Sequence, residues 1–213
     1  MRAFLVALAM AASLVGSAYA QDKRVSPQQS KLLLLAPHLE DLQPVYQYFG
    51  WTANALTEVS YGGVARANAT PGRLQAFFHQ LAPITYWSRA TDLDGTWVRQ
   101  SLSWFKDREV RVVAPAPAPG PYQRVGRFET DGASCAIFEL RHLTNDVGST
   151  NDVERQSVTG IYCPPTGVVL DDALIQRVLE GIFVRRDGRI ERVLKGVDKP
   201  IPERIRAADR LQG

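Results

Sequence analysis

Two cysteines, Cys135 and Cys163, constrain this chain more than any other pair of its residues. Each lies in a stretch of strand-like composition, Ser134-Cys-Ala-Ile-Phe-Glu-Leu-Arg-His142 and Gln156-Ser-Val-Thr-Gly-Ile-Tyr-Cys163. If the two pair antiparallel with Cys135 opposite Cys163, His142 falls opposite Gln156, and a disulfide closes the open end of a hairpin. On the chain-entropy model such a loop contributes about 3–4 kcal/mol. The hairpin tip carries Thr-Asn-Asp-Val twice, at 144–147 and 150–153. Asn, Asp, Gly, Ser and Thr all favour turns for local reasons. The acidic spacing departs from the calcium-loop pattern, and two short copies are too few for a repeat architecture. A surface tip is expected here.

A disulfide requires an oxidising compartment. Met1-Arg2 is a short basic start, Ala3 to Val15 is an uncharged apolar run, and Gly16-Ser-Ala-Tyr-Ala20 ends in small residues. This is the pattern of a cleavable signal peptide over 1–20, with an apolar stretch too short to span a bilayer. The expectation is an exported chain, periplasmic in a Gram-negative bacterium, with no transmembrane segment after signal cleavage. The formal net charge of +3 is too small to imply a nucleic-acid partner. Residues 185–210 are the most basic stretch, with nine Arg or Lys against five Asp or Glu.

Ala-Pro-Ala-Pro-Ala-Pro-Gly-Pro at 114–121 is the clearest punctuation. Alternate prolines remove backbone donors and fix φ, so neither a helix nor a central strand should pass through. It divides the chain into an N-terminal region over 21–113, a Pro/Ala linker over 114–121 and a disulfide-stapled region over 122–195. A basic C-terminal tail follows over 196–213. The N-terminal region shows helical signals. Ser26-Pro27-Gln28-Gln29 matches a capping box. Leu39, Leu42, Tyr46 and Phe49 recur at spacings of three and four, as do Leu74, Phe77, Phe78 and Leu81. After the hairpin, Asp171 is placed to cap a helix bearing Leu174, Ile175, Val178 and Leu179, which stops at Gly181. Asp187-Gly188 marks a two-residue hairpin turn. The expected fold class is α+β: a helix-rich N-terminal half, then a small antiparallel sheet with one packed helix.

Chemistry-bearing motifs are few. Asp92-Leu-Asp-Gly-Thr96 resembles the first motif of the haloacid-dehalogenase superfamily of phosphatases, and Asp171-Asp172 resembles that family's late acidic motif. The resemblance covers only these two stretches. It implies a nucleophilic Asp92, an acid–base Asp94 and magnesium between them. Asp94-Gly95 serves equally as a hairpin turn, and Asp171 as a helix cap. The histidines His38, His79 and His142 have no zinc-site spacing, and no G-x-S-x-G elbow occurs. Trp51, Trp87, Trp97 and Trp104 lie before the linker with Tyr46, Tyr48, Tyr61 and Tyr86; such rings build cores or stack on sugars. No phosphate-cradling loop, dinucleotide fingerprint or nucleic-acid module is present. The expectation is an exported soluble cell-envelope protein, a non-catalytic binding or accessory module without metal or cofactor. Its partner would be an envelope component or another protein. The alternative is an exported hydrolase, in its sharpest form a magnesium-dependent phosphatase using Asp92 and Asp94.

Overall fold

The computed structural model describes residues 23–53, 56–67, 72–80, 108–115, 123–144 and 153–210. Its strands are β1 (Lys23–Val25), β2 (Leu32–Leu34), β3 (Val45–Ala53), β4 (Leu56–Arg66), β5 (Arg73–Gln80), β6 (Arg111–Pro115), β7 (Gln123–Thr130), β8 (Ala133–Thr144), β9 (Val153–Cys163), β10 (Ile182–Arg186) and β11 (Arg189–Arg192). Helices α1 (Asp172–Glu180) and α2 (Glu203–Arg210) complete the described elements. Eight strands form one sheet in the order β1-β3-β4-β5-β9-β8-β7-β6, and β11-β10-β2 form a second. Every pairing among the described strands is antiparallel.

The helix-rich N-terminal half is therefore overturned: the described part of residues 21–113 contains strands and turns. The error has a physical cause. Leu74, Ala76 and Phe78 alternate with Arg73, Gln75, Phe77 and His79 along β5. Because Phe77 and Phe78 lie on opposite faces, both buried or half-buried, the apolar spacing imitates a helical stripe. Leu32–Leu34 is a short apolar run buried on both sides, the mark of a covered strand. The capping box does form: Ser26 N–H donates to Gln29 Oε1 at 3.1 Å and Gln29 N–H to Ser26 Oγ at 3.4 Å. It closes a single turn, because β2 begins three residues later.

The small sheet with one helix is also corrected. β8 and β9 belong to the large sheet, whereas β10 and β11 join β2 in the second. Within that arrangement several local signals act as expected. Asp171 caps α1, its Oδ1 accepting from Leu174 N–H at 2.7 Å. Asp187 and Gly188 turn β10 into β11 with φ of 47° and 73°. Cys135 and Cys163 are bonded, with Cα atoms 4.3 Å apart. Ala136 pairs with Tyr162 and His142 with Gln156, and the register shifts only beyond His142. Ala114 and Pro115 end β6, which stands last in the strand order, where missing donors are tolerated. Strands from both sides of the Pro/Ala stretch meet where β5 pairs with β9.

One face of the large sheet carries Tyr46, Leu74, Ala76, Phe78, Ala136, Phe138, Leu140, Val158 and Tyr162. These pack with Leu32–Leu34, Ile182–Val184 and Leu174, Val178 and Leu179 of α1 into the main core. Two tyrosine hydroxyls tie the layers together. Leu34 N–H donates to Tyr46 Oη at 3.0 Å, and Tyr162 Oη donates to Pro37 O at 2.8 Å. Phe138 lies directly over Gly160, where an added Cβ would come within 2.5 Å of the ring. The ring and the bare backbone fit each other, and neither position tolerates a change of volume. Phe138→Ala is therefore expected to cost about 3–5 kcal/mol in urea unfolding. A loss below about 1 kcal/mol would contradict this packing.

Candidate functional site

The opposite face of the large sheet is also buried, but its two ends differ in character. Near the disulfide it is apolar: Phe128, Ile137, Ile161, Val110 and the two cysteines form a second cluster. Towards the hairpin tip it becomes polar. Register places Phe49 opposite Ser60, Ser60 opposite His79, and His79 opposite Ser157, one row across β3, β4, β5 and β9. The adjoining row runs through Gly62, Phe77, Thr159, Glu139 and Arg124. Cross-strand partners point the same way, so the register alone brings these residues together.

His79 is the centre of this cluster. Its Nδ1 lies 2.9 Å from Ser60 Oγ and its Nε2 lies 3.3 Å from Thr159 Oγ1. Burial pulls its pKa down to about 4, so the ring is neutral at pH 7. A neutral imidazole donates through one nitrogen and accepts through the other. One of the two hydroxyls must therefore donate to the ring, while the other accepts from it and keeps its own proton for another partner. Phe77 stacks beside His79 with ring centres 6.2 Å apart, and Phe49 tilts against Phe77 at the same distance. Gly62 makes room for both rings: a Cβ there would come within 3.1 Å of each.

Two further groups complete these two rows. Glu139 is 1 % exposed, and its Oε2 faces Arg124 Nη1 at 3.5 Å. Ser157 is equally buried, and its hydroxyl has no hydrogen-bond partner among the described residues. A buried hydroxyl left unsatisfied costs about 1–3 kcal/mol, so this position calls for an explanation. Chemically, the Ser60–His79 distance suits a nucleophile and its base. Yet a base works best with a pKa near the operating pH, and this one sits well below it. Thr159, a hydroxyl, stands where a catalytic triad carries a carboxylate to stabilise the imidazolium. The arrangement is suited to hydrogen-bonding a ligand rather than to moving its protons.

The residues singled out from sequence fare differently. His38 is exposed, in a turn with φ of 60°. His142 pairs with Gln156 along the backbone. The three histidines are thus not brought together, and no group of three or more His, Cys, Asp or Glu among the described residues could hold a metal ion. Tyr46 belongs to the core, where burial raises its pKa to about 12. Tyr48 meets Tyr61 edge-on, 5.2 Å between ring centres. Asp92, Asp94, Trp87, Trp97, Trp104, Tyr86, most of the 144–153 tip and the 1–20 segment lie outside the described residues. The basic stretch is occupied structurally: Arg186 binds Gln156 Oε1 at 2.7 Å, Arg192 caps Pro200 O at 2.8 Å, and Lys199 pairs with Glu180 at 2.6 Å. The 196–213 tail contains α2, anchored by buried Ile205 and by Arg204 donating to Leu42 O.

The Ser60–His79–Ser157 row was not recognised in the sequence. The available signal was the period-two alternation of β5, with polar Arg73, Gln75 and His79 on one side of a buried strand. No known protein family, curated protein or solved structure matches this chain.

The neutral histidine makes stability depend on pH. Folded His79 stays unprotonated down to about pH 4, whereas the unfolded ring takes up a proton near its ordinary value of 6.5. Between those limits the unfolded state binds more protons, so stability falls as pH falls. Urea unfolding at pH 7 and pH 5 should show wild type losing about 2 kcal/mol more than His79→Gln. Equal losses in the two proteins would contradict a buried neutral imidazole.

Proposed function

We propose that this chain is an exported, non-catalytic binding module of the cell envelope. Its ligand-binding groups are Ser60, His79 and Ser157 of one row and Thr159 of the next, with the rings of Phe49 and Phe77 beside them. The observation that carries this reading is the buried hydroxyl of Ser157, without a partner among the described residues and next to a histidine held neutral. A ligand oxygen or N–H received there would satisfy the hydroxyl, and an apolar ring could rest on Phe49 and Phe77. The disulfide, of the kind that oxidising compartments sustain, supports export. No helix among the described residues is long and apolar enough to cross a membrane.

The antiparallel pairing of every described strand favours this reading over the phosphatase alternative. That alternative needs Asp92 at the end of a parallel strand, with alternating β and α units around it. Nile red is a suitable probe, since it is uncharged and planar and carries a carbonyl oxygen. Its titration should give saturable shifts in the backbone amide signals of Ser60, His79, Ser157 and Thr159, weakened about tenfold by Ser157→Ala. Two results would count against the proposal. One is the absence of any shift in this row. The other is magnesium-dependent hydrolysis of a phosphomonoester that Asp92→Asn abolishes.

A further inference from the structure

Towards the hairpin tip, the core-facing side of the large sheet ends in a pair of amides. Gln80, the last residue of β5, is the direct cross-strand partner of Gln156 on β9. Both lie on the face of Phe78 and Val158, so the two amides stand side by side, with Cα atoms about 5 Å apart. Each holds a cation from the second sheet, one just before β2 and one at the end of β10. Lys31 Nζ donates to Gln80 Oε1 at 2.9 Å, and Arg186 Nη2 donates to Gln156 Oε1 at 2.7 Å. The backbone brings the same two segments together, since Arg185 N–H donates to Lys31 O at 2.8 Å. All four side chains are half-buried, so each keeps some access to solvent.

A glutamine carbonyl satisfies one donor of each cation and neutralises neither charge. Among the described residues, neither Lys31 nor Arg186 forms an ion pair with a carboxylate. The Nε of Arg186 is buried with no hydrogen-bond partner among the described residues, a cost that is larger for a charged group than for a neutral one. Register adds a further cation, because Arg189, exposed on β11, is the direct partner of Arg186. Like charges placed directly opposite are destabilising. Ammonium and guanidinium groups both make charge-assisted bonds to oxyanions, and two fixed cations match two negative charges. We propose that Lys31 and Arg186 bind the doubly charged oxyanion of a small ligand, either a dicarboxylate or a phosphate monoester. Gln80 and Gln156 are positioning residues: each turns its Oε1 to a cation and has its Nε2 left to donate. Gln80 and His79 are successive residues of β5 and point to opposite faces. This site is therefore separate from the Ser60–His79–Ser157 row and stands whether or not that row binds a ligand.

The test uses the full chain, with succinate and glycerol phosphate titrated against sodium chloride of matched ionic strength. At least one probe should shift the backbone amide signals of Lys31, Gln80, Gln156 and Arg186 saturably, beyond any shift in chloride. Lys31→Gln removes one charge from a half-buried side chain and should weaken that binding about tenfold. Lys31→Arg keeps the charge and should restore it. Unchanged amide signals of Phe138 and Gly160 in the core show that each variant is folded, so a lost response reports lost binding. Tighter binding of succinate assigns a dicarboxylate, and tighter binding of glycerol phosphate assigns a phosphate monoester. The proposal is overturned if neither probe gives a saturable shift beyond chloride, or if Lys31→Gln binds as wild type does.

Discussion

The register of β8 on β9 governs the rest of the molecule. A bond between Cys135 and Cys163 fixes which residues stand opposite each other from Ala136–Tyr162 to His142–Gln156. A slip by one residue would turn every side chain of the strand to the wrong face. Phe138, Leu140, Val158 and Tyr162 would leave the main core, and Glu139 and Ser157 would enter it. The close seating of Phe138 on Gly160 enforces the same register sterically. With β9 fixed, β5 pairs along its other edge, and β4 and β3 follow in turn.

The candidate row follows from that one constraint. His79 faces Ser157 because β5 is aligned to β9, and Ser60 faces His79 because β4 is aligned to β5. The main core supplies the rigidity. The second sheet and α1 cover the even-numbered face of β8 and β9, and tyrosine hydroxyls bond across the layers. Towards the hairpin tip the other face is thereby left to carry polar groups, among them a neutral histidine and a hydroxyl without a partner among the described residues. Polar groups kept at such a cost on a rigid sheet call for an explanation.

How much could be read from the sequence depended on the range of the interaction. Asp171 at the start of α1, Asp187-Gly188 between β10 and β11, and the hairpin through Cys135 and Cys163 are local devices, and each could be read from neighbouring residues. The fold class was misread for β2 and β5, because apolar residues on both faces of a covered strand obscure its alternation. Phe77 and Phe78 then resemble a helical stripe, and Leu32 to Leu35 resembles the start of a helix. Even a true capping box at Ser26 and Gln29 closed only one turn. The candidate row was illegible for a further reason. Ser60, His79 and Ser157 come from three strands far apart in sequence, and only sheet order brings them together.

The central claim is that this register builds the Ser60–His79–Ser157 row. Nuclear Overhauser contacts across the strands, measured by NMR on the oxidised protein, test it most directly. The account predicts cross-strand backbone contacts between Ser60 and His79 and between His79 and Ser157, together with His142 to Gln156. Contacts displaced by one residue, such as His79 to Val158 in place of Ser157, would place the histidine against the other face and contradict the account.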